Sequence, residues 1–152
     1  MSLDSYVKNS WLKEEATSPQ EIADQLGIVA RCTKDAGVEA ISDDLRFYTA
    51  FNALLALANT ALRACGYRAT SQPGHHMRTI ETLEYTIQAD SRTVRKILAL
   101  SKKRNIASYD AAGSISHDDL REVLATTEML QNAVHAWLKA THPDLLKTLR
   151  KS

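Results

Sequence analysis

Residues 42–66 read SDDLRFYTAFNALLALANTALRACG, and this run decides the fold class. Leu45, Tyr48, Phe51, Leu55, Ala58, Leu62 and Cys65 recur at steps of three and four, which lays one apolar stripe along an α-helix. Ser42 stands where a hydroxyl caps the first free backbone N–H groups, and Gly66 stands where a helix closes. The run predicts a helix from about Ser42 to Cys65.

The same signals recur on either side of it. Ser18-Pro19 pairs an N-cap with proline at the first helical position, and Gly37 closes that helix. Ser5 to Glu15 predicts a short leading helix. Tyr67 to Gly74 reads as a polar loop, followed by a helix from about His75 with Met77, Ile80, Leu83 and Ile87 on one side. A further helix starts near Ser91 and carries Val94, Ile97 and Leu98. Tyr109 to Ser116 reads as a loop whose Ser116 caps the next helix. There Leu120, Val123, Leu124, Thr127, Leu130, Val134, Trp137 and Leu138 keep one stripe until His142-Pro143 breaks it. No segment alternates with period two, so no strand is predicted. The expected fold is all-α, an antiparallel up-and-down bundle of four to six helices in one domain over residues 1–152.

Nineteen basic residues against eighteen acidic ones give a net charge of +1. No overall field draws such a chain onto nucleic acid or membrane, so an anion site has to be local. The residues before Glu15 carry Asp4, Lys8, Lys13 and Glu14, unlike a signal peptide. No uncharged apolar run is long enough for a bilayer. Cys32 and Cys65 lie far apart among apolar residues, as buried free thiols of a reducing compartment do. The expected location is the cytoplasm.

One stripe is interrupted. Val94, Ile97 and Leu98 continue through Ser101, and one turn later that face meets Asn105, with Arg104 at its margin and Tyr109 beyond. A buried guanidinium or carboxamide needs partners, so these residues either line a cleft or form a hydrogen-bonded network; Asp110 is the nearest acid for Arg104. Lys102 and Lys103 beside Arg104 make this helix end the most electropositive place in the chain.

The order of features resembles that of the HEPN family of small helical bundles linked to prokaryotic nucleic-acid systems. In that family a helix of the type YYAxFxAxxALL precedes a polar loop with glycine and histidine, and a later helix ends in an arginine motif. The counterparts are Tyr48 to Leu55, then Gly74-His75-His76, then Arg104 to Asp110, so the resemblance covers about residues 21–138. Catalytic members resemble one another in an arginine followed after four to six residues by histidine, set in a groove between two protomers, and act as metal-independent endoribonucleases. Here Tyr109 takes the place of that histidine, and the next one is His117. Tyrosine is a poor base near neutral pH. The resemblance therefore implies the branch in which the bundle is a binding module, a homodimer accompanying a nucleotidyltransferase or a toxin–antitoxin system and engaging RNA or a nucleotide. It assigns the groove to Arg104, Asn105, Tyr109 and Asp110, which Lys103 joins as the charged neighbour of Arg104, with His75, His76 and Tyr48 as contributors, and implies no metal or cofactor. The alternative is an endoribonuclease whose missing histidine is replaced by Tyr109, His75 or His76.

Residues 18–28 also suggest the first helix and turn of a helix-turn-helix DNA-binding regulator, with Ile22, Leu26 and Ile28 as docking contacts and Arg31 and Lys34 as the DNA contacts. The opposing reading is a plain bundle helix with Gly27 at a close packing point. His117, His135 and His142 stand isolated, in surface or capping roles.

Overall fold

The computed structural model describes residues 1–109 and 115–150, without side chains for 106–109 and 148–150. Its elements in chain order are α1 (Leu3–Lys8), β1 (Leu12–Glu14), α2 (Pro19–Ala36), α3 (Asp43–Ala64), β2 (Tyr67–Ala69), α4 (His75–Glu81), α5 (Leu83–Thr86), α6 (Ser91–Tyr109) and α7 (His117–Thr141), followed by a 3₁₀ helix, Pro143–Arg150. The chain is an all-α helical bundle with one small sheet.

The helix starts follow local chemistry. The hydroxyls of Ser18, Ser42 and Ser116 accept from the backbone N–H of Glu21, Leu45 and Asp119, and Asp119 returns a bond to the N–H of Ser116. Asp90 caps α6 by accepting from the Thr93 N–H. Gly66, at φ +90°, supplies the left-handed step that ends α3.

Helix α3 is the axis of the core. It packs against α2, α7, α4 and α6, so burial wraps around it. Its inward residues are Phe47, Phe51, Leu54, Leu57 and Ala61, while Leu45, first of the predicted stripe, is 51% exposed. On α7 the predicted stripe holds, with Leu120, Val123, Leu130, Val134 and Leu138 buried. The 3₁₀ helix packs back against α2.

Five expectations are corrected: the extent of the leading helix, the absence of strands, the single helix from His75, the turn at Gly27 and the close packing there. The leading helix stops at Lys8, and residues 12–14 pair antiparallel with 67–69, Leu12 opposite Ala69 and Glu14 opposite Tyr67. Strands of three residues are too short to display a period of two. The helix expected from His75 breaks at Thr82 into α4 and α5. Helix α2 runs unbroken through Gly27, so the turn that a helix-turn-helix requires there is absent. Nor is Gly27 a close packing point, because a Cβ there would meet only Arg31 of its own helix, at 3.8 Å.

The largest fully buried side chain is Arg63. Its Nε donates to Glu21 Oε2 at 3.2 Å, Nη1 to the carbonyls of Glu15 and Tyr67 at 2.9 and 3.0 Å, and Nη2 to the Ala16 carbonyl and Glu21 Oε1 at 3.0 and 2.8 Å. These bonds use all five N–H donors of the guanidinium. Arg68 adds bonds to Glu15 and Glu21 at 2.7 and 3.0 Å. The Arg63 hydrogen bond, helped by Thr17 and the charges of Arg63 and Arg68, outweighs desolvation and holds the Glu21 carboxyl down at about 2.

Arg63→Met leaves the carbonyls of Glu15, Ala16 and Tyr67 without their donor and removes a buried ion-pair partner of Glu21, so it should lower stability by about 3–5 kcal/mol in urea unfolding. Glu21 has its folded pKa below its unfolded one, so its contribution is complete above about pH 4.5 and is lost as pH falls toward 2. The urea midpoint should fall over that window, and Glu21→Gln should flatten the fall. Gly27→Ala, in open helix, should raise stability by about 0.5–1 kcal/mol.

Candidate functional site

A groove of about 460 Å³ opens between the start of α4 and the second half of α6. Helix periodicity explains its α6 wall. The core takes Val94, Ile97 and Leu100, and the neighbouring face turns Leu98, Ser101, Lys102 and Asn105 to the groove with Arg104 at its edge. Phe51 of α3 is part of the lining, and the Arg104 guanidinium carbon lies 5.7 Å from the centroid of its ring. The apolar stripe of α6 is thus interrupted because its polar members border a cleft.

The opposite wall is Gly74, His75, His76 and Met77. Gly74, at φ +80°, turns the chain into α4. The two imidazoles meet edge to face with centroids 4.2 Å apart, and His75 Nδ1 lies 3.2 Å from the Gln72 carbonyl. Met77, expected on the core side, is 44% exposed at the groove. The position of α4 is held from outside: the Arg78 guanidinium lies 3.4 Å from the centroid of Trp11, and the Tyr6 hydroxyl donates to Glu81 at 2.8 Å.

The structure brings together Arg104, Asn105, His75 and His76 and adds Lys102. It does not bring Lys103, whose Nζ pairs with Asp119 of α7 at 3.3 Å. Tyr48 packs against the main core, and Phe51, three residues on, takes the groove position. Helix α6 continues through Tyr109, expected beyond its end, but the Tyr109 side chain and Asp110 lie outside the described residues. Of the isolated histidines, His117 faces Asp43 at 3.7 Å and His142 meets the Trp137 ring at 4.9 Å.

The described lining carries two permanent cations, two imidazoles and no carboxylate. Partial burial chiefly, then the charges of His75 and Arg104, push the His76 imidazole below its usual value. It is therefore mostly neutral at physiological pH and able to accept a proton. Among the described residues no three His, Cys, Asp or Glu side chains converge to hold a metal ion, and no helix is long and apolar enough to cross a membrane. Both cysteines are free, with thiols pushed up by burial.

Compared with protein-family models, curated proteins and solved structures, the chain matches none.

Removing the Arg104 charge should relieve His76. In an NMR titration of the imidazole resonances, Arg104→Ala should move the His76 midpoint upward toward the free value.

Proposed function

We propose that the groove between α4 and α6 binds the phosphate of RNA or a nucleotide, and that the protein is a HEPN-like binding module of the cytoplasm. The observation that carries this reading is the lining itself: Lys102, Arg104, His75 and His76 converge on one groove from two separate elements. A guanidinium supplies a planar fork for phosphate oxygens, and a lysine adds an unspecific positive charge. Asn105 adds neutral donors and acceptors. In this reading the protein is a homodimer and the partner of a nucleotidyltransferase or a toxin–antitoxin system.

The groove also favours a second reading, a metal-independent endoribonuclease. His76, held below its usual pKa with Arg104 near enough to contribute, is a base suited to taking a proton from a ribose 2′-hydroxyl, and His75 beside it is a candidate acid for the leaving oxygen. Arg104 would then stabilise charge on the phosphate. This reading assigns proton transfer to the α4 histidines instead of to Tyr109.

Fluorescence anisotropy with a labelled single-stranded RNA separates the two readings when run beside metal-free cleavage of a mixed RNA pool. The binding-module reading expects salt-dependent binding, weakened about tenfold or more by Arg104→Ala, and no cleavage. Cleavage abolished by both Arg104→Ala and His76→Ala would select the nuclease. Salt-independent binding unchanged in Arg104→Ala would refute both.

A further inference from the structure

His75 and His76 line a second concavity on their other side, of about 310 Å³. Its chemistry differs from that of the groove. Asn52 and Asn59 lie seven residues apart on α3 and therefore share a face, with Leu55 and Ala56 forming an apolar floor between them. Gln25 of α2 closes the far side. The one permanent charge among the described lining residues is Arg68, whose guanidinium is bonded to Glu15 and Glu21.

The carboxamides are arranged. Asn59 Nδ2 donates to Gln25 Oε1 at 3.3 Å, which ties the two side chains and leaves an acceptor on Asn59 and a donor on Gln25. Turning both amides over exchanges these roles and still leaves one donor and one acceptor. Adenine offers the complement, an amino donor beside a ring-nitrogen acceptor, which is the edge that carboxamides read. A neutral, amide-lined, apolar-floored concavity thus abuts a cationic groove across a shared pair of imidazoles. A nucleotide divides in the same way, into a neutral flat base and an anionic phosphate.

We propose that this second concavity is a nucleobase subsite, and that the two together take an adenine nucleotide, with phosphate toward Arg104 and Lys102 and base against Asn52, Asn59 and Gln25. The inference rests on the anion-binding reading of the groove. It adds base recognition, which that reading alone does not contain.

Isothermal titration of the full chain with AMP and with ribose 5-phosphate tests it, because the two share a sugar phosphate and differ in the base. The expected result is AMP binding at least tenfold more tightly than ribose 5-phosphate. In Asn59→Ala that margin should fall to about threefold or less while ribose 5-phosphate binding is unchanged, and Arg104→Ala should weaken both ligands. Asn52 is exposed, so Asn52→Ala keeps the fold and decides the matter should Asn59→Ala melt early in circular dichroism. Equal binding of the two ligands, both weakened by Arg104→Ala, would overturn the base subsite and leave the phosphate groove standing. A preference for AMP that survives both asparagine changes would also overturn it, by placing the base elsewhere. Binding of neither ligand to the unaltered protein would overturn the subsite, and salt-dependent RNA binding weakened by Arg104→Ala would then leave the groove reading standing.

Discussion

A guanidinium with 1% of its surface exposed needs a partner for every N–H it carries, and Arg63 finds them in three separate parts of the chain. Glu21 belongs to the first turn of α2, the carbonyls of Glu15 and Ala16 to the segment after β1, and the carbonyl of Tyr67 to β2. Each is fixed relative to α3, the helix around which the core is built. Leaving any of these donors unmet costs about 1–3 kcal/mol, comparable to a sizeable fraction of a domain's net stability. Sites of this kind tolerate little rearrangement. The small sheet is a consequence of this constraint as much as of its own ladder, since two strands of three residues are marginal alone.

The groove inherits its geometry from that anchor. Tyr67 opens β2, β2 leads into the segment that ends at Gly74, and Gly74 turns the chain into the two histidines. A second clamp, Arg78 on Trp11 and Tyr6 on Glu81, fixes α4 to the N-terminal segment whose far end Arg63 holds. The other wall is set by α6, with its Lys103 paired to Asp119 of α7. Two walls held by independent contacts present cations and imidazoles at a fixed separation, which lowers the ordering cost of binding an anion.

Much of this was legible in the sequence. The serine caps at 18, 42 and 116 were legible because one side chain and one backbone N–H decide each of them. The interruption of the α6 stripe was legible too, since Arg104 and Asn105 depart from a period that a single helix defines. What escaped was tertiary. Glycine at position 27 suggested a turn or a close approach, yet in α2 it is an ordinary helical residue, and the sequence pattern alone cannot separate these cases. The meeting of His75 and His76 with Arg104 joins residues far apart in sequence, which periodicity within one helix cannot reveal. Lys103 was assigned to the groove by adjacency to Arg104, but neighbours on a helix point about 100° apart, and Asp119 takes it. Arg63 did leave a signal: it is the one charged residue between Arg46 and Arg68. A lone charge inside so apolar a run has to be exposed or fully satisfied, and a helix buried on nearly every side leaves the second choice.

The proposed anion site lies where α4 begins and α6 approaches its end. Backbone amide chemical-shift mapping with a short single-stranded RNA reads position directly, independently of affinity or turnover. Shifts concentrated in residues 74–77 and 98–105, with smaller ones near Phe51 and Asn59, are expected. Shifts concentrated on Arg31 and Lys34 of α2, or on the face of α7 remote from the groove, would contradict it.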